Sequence, residues 1–300
     1  MTVIERKTAW GNWENCYQIS NGLVDLVITL DVGPRVIRFG YTDGENCFKV
    51  YDEQLGKTGG DSWRIYGGHR LWHAPEHTFR TYYPDNSPVE VSSTDGTVKF
   101  TPPTEITTHI QKTIEITLHP SQAQVTVKHR LENVGAWDVT LAPWALSVMA
   151  PGGVAVLPLP PRGKHATDLL PTGGLSLWSY TQMNDPRWTW GGQYILLRSN
   201  TEGTPQKIGA VAPDGWLAYI RDGLMFVKRA AYDASGQYPD NNSNVELFTN
   251  DEMLELETLG HMTSLVPGGV VEHTETWSLH RDLPAITSDA DVTAHVLPRI

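Results

Sequence analysis

The chain has 300 residues, a formal net charge of −11 and a pI near 5.4. Apolar residues are 40% of it, enough for a sizeable core and against disorder. Its Lys and Arg are scattered through an acidic chain, which argues against a nucleic-acid surface.

The N-terminal stretch MTVIERKTAWGNWENCYQ has no apolar core or small-residue cleavage site, so no secretory leader is read there. No apolar run reaches the length of a membrane helix. Cys16 and Cys47 are too few for a disulfide framework and suit a reducing, cytoplasmic setting as two ordinary thiols.

In chain order the pattern is β almost throughout. GLVDLVITL (22–30) and RVIRFGY (35–41) are β-branched, apolar and closed by turn residues. Two alternating runs, 106–118 and 124–132, flank the hairpin turn HPSQ. Then come strands at 137–149, 194–199, 207–213, 217–230, 245–249, 253–260 and 270–280. No segment keeps an amphipathic helical stripe over twelve residues, and 27 Gly and 20 Pro punctuate the strands. These features predict an all-β, many-stranded antiparallel sandwich forming one domain over 1–300. The Pro/Gly-rich stretch 150–175 reads as a long loop crossing one end.

The segment GGHRLWHAPE (67–76) concentrates titratable and aromatic groups. His69, His73 and His77 recur every four residues, as in some helical zinc sites. Gly67, Gly68 and Pro75 oppose a helix, so an extended or looped segment is expected and no metal is assigned. His69 and Arg70 become candidate pocket donors, with His73 or His77 as a titratable neighbour.

In MLELETLG, Glu255 and Glu257 are two apart on a strand and share a face, opposite Leu254, Leu256 and Thr258. Such a pair is either solvated or lines a sheet where one carboxylate acts as a base. Eleven Trp exceed ordinary usage. Trp144, Trp178, Trp188 and Trp190 are candidates for stacking on a sugar ring. Tyr238 opens a polar loop, YPDNNSN, that Lys228 precedes; both are candidate ligand contacts. No dinucleotide fingerprint, phosphate loop, nucleophile elbow or HExxH motif occurs.

Taken in order, LDVGPRVIRFGY, GGHRLWHAPE, LENVGAWDVTLAPWALSVMAPGG and LELETLGHMTSLVPGGVVEHTETWSLHRDL resemble the galactose mutarotase-like superfamily. They are most similar to its bacterial branch of uncharacterised aldose 1-epimerase-like domains, over about residues 10 to 283. The resemblance implies a large antiparallel β-supersandwich, a sugar ligand and no cofactor. It implies Glu257 as the base at the anomeric hydroxyl, with Glu255 as the alternative in register. It implies His69 and Arg70 as the pair after the glycines, and His73 or His77 as a second His. Where the family places a mid-chain Asn-His on a strand, this chain has Pro143-Trp144. The proton donor would then come from elsewhere, such as His73, His77 or His165. The activity expected is aldose 1-epimerase-type isomerisation. The alternatives are a non-catalytic saccharide-binding module, or a lyase or glycoside hydrolase on the same fold.

Overall fold

A computed structural model describes residues 3–300 as two large sheets packed face to face, with every strand pairing antiparallel among those residues. The eleven-stranded sheet runs Ile4–Trp10, Trp13–Ser20, Val24–Thr29, Val36–Tyr41, His69–Ala74, Val139–Met149, Leu254–Leu259, Val245–Thr249, Gln206–Ala210 and Leu175–Leu177. Thr263–Leu265 adds to the start of Val139–Met149. The ten-stranded sheet runs Trp188–Trp190, Tyr194–Arg198, Val154–Pro158, Trp216–Arg221, Leu224–Ala230, Val270–His280, Gln124–Asn133, Ile110–Leu118, Thr97–Thr101 and Glu90–Thr94.

Period-2 alternation builds three apolar layers. The main core lies between the sheets, where Leu26, Leu71, Leu256, Val127 and Trp277 meet. The outer face of the ten-stranded sheet carries Val154, Val156, Leu196 and Trp216. The C-terminal segment covers it with Leu283, Ile286, Val292 and Val296. The outer face of the eleven-stranded sheet carries Trp72, Ala142, Trp144, Leu146 and Leu259.

Several elements differ from the sequence expectation. The run 106–118 becomes a strand only at Ile110, because His109 N–H closes a turn on the Glu105 carbonyl and leaves Ile106 exposed. The run 217–230 is a hairpin split at Asp222 and Gly223, both with positive φ. Of the extended and looped alternatives for segment 69–74, the structure has the extended one, a fully buried central strand. The stretch 150–175 contains the strand Val154–Pro158 before its irregular part begins. Both cysteines are buried and free. Among the described residues, no helix is long and apolar enough to cross a membrane.

Candidate functional site

The strands His69–Ala74, Val139–Met149, Leu254–Leu259, Val245–Thr249 and Gln206–Ala210 are consecutive neighbours at the middle of the eleven-stranded sheet. Alternation sends Arg70, Trp144, Glu255, Glu257, Glu246 and Lys207 to the outer face, where they form one cluster. Arg70 Nη2 donates to Glu255 Oε1 at 2.9 Å. Trp144 Nε1 and Lys207 Nζ both donate to Glu257 Oε2, at 2.7 and 3.0 Å. Lys207 Nζ also lies 2.8 Å from Glu246 Oε2. Glu246 and Glu257 face each other directly across adjacent strands.

Aromatic rings close over both cations. Lys207 Nζ sits 4.6 Å from the centre of the Trp144 ring system and 4.8 Å from that of Trp178. The Arg70 guanidinium sits 4.2 Å over Trp72 and 5.6 Å over Trp63. The cluster is consequently buried, with Glu246 and Glu257 fully enclosed. Open space lies elsewhere: one cleft of about 550 Å³ runs between Gly152, Arg198 and Leu283, away from these groups.

Burial alone would lower the Lys207 ammonium, but Glu246 and Glu257 outweigh it and hold the pKa well above the ordinary value. Burial pushes Glu255 up, opposed by Arg70. Burial pushes Glu246 far up, and the negative charge of Glu257 adds to this against Lys207. Trp63 Nε1, Arg70 Nε and Nη1, Glu257 Oε1 and both Glu246 oxygens have no hydrogen-bond partner. These are six of the eleven such buried side-chain atoms among the described residues. Unpartnered polar atoms gathered this densely single out the cluster as the candidate site.

The same alternation turns His69 and His73 the other way. His69 lies between the sheets: Nδ1 accepts from Ser147 Oγ at 2.9 Å and Nε2 donates to His129 Nε2 at 2.8 Å. The direction follows along the chain of bonds. His129 Nδ1 donates to the His273 carbonyl at 3.0 Å, so a neutral His129 offers Nε2 only as an acceptor. His273 Nε2 donates to Thr258 Oγ1 at 2.8 Å, and the Thr258 hydroxyl donates to Glu275. Lys228 Nζ and Trp277 Nε1 complete Glu275, each at 2.8 Å. Burial lowers the pKa of all three imidazoles, that of His273 to about 3. It lowers Lys228 as well. Glu275 is depressed because Lys228 and the histidines outweigh its burial. Ligand atoms of His69, His129 and Glu275 all lie within 4.8 Å of one another and could hold a metal ion. The bonds just traced already satisfy them.

The structure therefore separates the residues singled out in the sequence. Glu257, Glu255, Arg70 and Trp144 come together on the outer face. His69 and Lys228 lie in the interior network. His73 packs inward near Glu105, 3.5 Å away, which Lys112 also binds. His77 is in an exposed turn, its Nδ1 accepting from Phe79 N. Trp188 and Trp190 stack on each other at the edge of the other sheet. Tyr238 stacks on Tyr232. Trp178, read with the other loop Trp residues, lies against Lys207 in the outer-face cluster; Lys207, Glu246 and Trp63 were not anticipated. Glu246 had one available signal, its place between Val245 and Leu247 in a strand beside the Glu255–Glu257 strand.

No protein-family model matches the sequence, and no curated protein matches it. Solved structures do match its fold. A galactose mutarotase related enzyme from Lactobacillus acidophilus aligns over 91% of this chain and 99% of its own, with a TM-score of 0.56 and 9% identity. A galactose mutarotase-like protein from Lactobacillus casei aligns over 88% of this chain and 100% of its own, with a TM-score of 0.56 and 11% identity.

The fold is galactose mutarotase-like.

A TPR-domain containing protein from Parabacteroides distasonis shares it at a TM-score of 0.58 and 15% identity, over 91% of this chain. This chain spans about half of that protein's length, 48%. The mutarotase-like fold accommodates sequences this far apart because period-2 patterning constrains polarity, not identity.

Proposed function

We propose that the chain is a carbohydrate-directed isomerase of the aldose 1-epimerase type, with Glu257 as general base on the outer face of the eleven-stranded sheet. The observation that carries this reading is the setting of Glu257. One oxygen is fixed by Trp144 and Lys207, and the other is free of protein partners. A carboxylate held on one side and available on the other suits removal of a hydroxyl proton. Trp63, Trp72, Trp144 and Trp178 around it suit the C–H face of a sugar ring. Arg70, with Nε and Nη1 unpartnered, suits a sugar oxygen.

The test is exchange NMR of anomer interconversion over a panel of aldoses and uronic acids. Wild type is expected to exceed the buffer rate, and Glu257→Gln to lose that excess while still binding sugar within a few-fold. Sugar binding without any exchange in wild type would make this a saccharide-recognition module instead.

A further inference from the structure

We propose that Glu246 carries a proton at neutral pH and is the proton donor that works opposite Glu257. The proposal rests on the sugar-directed reading of the same face and supplies the partner that a lone base lacks.

The argument begins with charge. The enclosed cluster holds three carboxyl groups, Glu246, Glu255 and Glu257, and two cations, Arg70 and Lys207. Fully ionised, it would bury a net negative charge, which costs far more than retaining one proton. Asp240, half-buried in the neighbouring turn, adds negative charge on the Glu246 side, and Tyr180 faces the cluster as a neutral phenol.

Hydrogen bonds select the carboxyl that keeps the proton. Glu255 accepts from Arg70, and Glu257 accepts from both Trp144 and Lys207. Bonds of this kind favour the ionised form. Glu246 has only the Lys207 ammonium, 2.8 Å from Oε2 and shared with Glu257, and no second donor; its Oε1 has none. It is fully enclosed, and burial drives it toward the neutral acid. A carboxyl that burial favours as the neutral acid, beside one held by two donors, has the makings of an acid–base pair.

Geometry puts the pair to work. Glu246 and Glu257 are cross-strand neighbours that both touch one Lys207 ammonium, at 2.8 and 3.0 Å, so their oxygens are no farther apart than those two contacts combined. In the opening of a cyclic hemiacetal, Glu257 takes the proton of the anomeric hydroxyl. The bond from the anomeric carbon to the ring oxygen breaks and its electron pair goes to that oxygen. Glu246 delivers its proton there. Ring closure on the other face of the aldehyde runs the same transfers backward and restores both groups, with no further reactant. The outer face carries Trp144, of the Pro143-Trp144 pair where the resemblance expects an Asn-His, and Glu246 occupies the strand two positions away in the sheet.

The experiment is infrared spectroscopy of the whole protein near pH 7, where a neutral carboxyl stretch is distinct from the carboxylate band. Wild type is expected to show one such band that Glu246→Gln removes. Glu246→Gln is expected to fold and melt as wild type, because Gln mimics the neutral acid, and to lower anomer exchange about 10²- to 10⁴-fold. The alkaline limb of the wild-type pH profile should follow the titration of the band. Absence of the band in wild type, or its survival in Glu246→Gln, overturns the proposal. If Glu257→Gln abolishes exchange and Glu246→Gln leaves it intact, the sugar reading survives and the donor assignment falls. If the band belongs to Glu246 and no sugar exchanges on wild type, the proton is placed correctly and the isomerase reading falls.

Discussion

Lys228 Nζ donates to the Leu256 carbonyl at 3.2 Å from inside the sandwich, directly behind the strand that presents Glu255 and Glu257 to the other face. The same ammonium donates to the Ala145 carbonyl at 3.0 Å, beside Trp144. A fully buried ion pair, Lys228 with Glu275 at 2.8 Å, thus grips the backbone of the two strands that carry the candidate base and its Trp partner.

Removing one member of that pair leaves the other buried without a counter-charge. Lys228→Met is expected to destabilise the protein by about 3–5 kcal/mol, and Lys228→Met with Glu275→Gln to recover most of that loss. Urea unfolding of wild type, both single variants and the double variant gives the coupling. Additive losses, with no recovery in the double variant, would refute the pairing as the main role of Lys228.

How much of this was legible beforehand follows from parity. The shared face of Glu255 and Glu257 could be read from two-residue spacing, and the structure has that spacing. The same rule, applied to HRLWHA, would have divided His69 and His73 from Arg70. The glycines before it and Pro75 after it left that segment open between extended and looped, so adjacent His69 and Arg70 were grouped. Glu246 sits in the local hairpin with the Glu255–Glu257 strand and could have been read from it, but Lys207 was illegible for another reason. Alternation fixes which way a side chain points, but strand order fixes what it meets, and Lys207 reaches the cluster only through the long-range pairing of 206–210 with 245–249. His129 and His273 are single His residues in alternating strands, with no local mark of the network they close.

Acid should weaken the fold through that network. His69, His129 and His273 have pKa values below the ordinary 6.5, so the unfolded chain binds protons there that the folded chain refuses. The sign follows: stability is full above about pH 6.5 and is lost as pH falls toward about 3, where His273 protonates in the fold. Each such group contributes a slope of up to about 1.4 kcal/mol per pH unit within its window. Melting temperatures from pH 7.5 down to 4.5 should fall steadily from pH 6.5. His273→Gln should flatten part of that slope, and a flat wild-type profile would exclude neutral, buried imidazoles.

Gly67 and Gly68 set the entry of the His69–Ala74 strand. Their φ values are +99° and +70°. A Cβ would lie 2.2 Å from the Lys49 carbonyl oxygen at the first and 2.3 Å from that of Val36 at the second. Both are backbone contacts that cannot swing aside, so each Gly→Ala change should cost well over about 1 kcal/mol. The control is Gly96→Ala, where a Cβ meets nothing within 4 Å and only the positive φ is strained. Equal losses at all three positions, by urea midpoint, would mean that the close approach is not what demands glycine.

Trp178 is a half-buried ring lying over the Lys207 end of the outer-face cluster. It follows the edge strand Leu175–Leu177, and its turn is closed by Thr181 N–H on the Trp178 carbonyl. Its ring lies against one side of Lys207, whose other side meets Trp144. A ligand reaching Glu257 must displace or restack that ring. Trp178→Ala removes one cation–π contact, about 0.5–2 kcal/mol, and should fold with a modest fall in melting temperature. With 5-fluorotryptophan incorporated, the resonance missing from Trp178→Phe should shift in wild type when a bound sugar saturates the protein. The core residues Trp13 and Trp277, enclosed away from the cluster, should stay unmoved. Sugar binding that leaves the Trp178 resonance in place would put the ligand somewhere other than this face, and with it the chemistry assigned to Glu257.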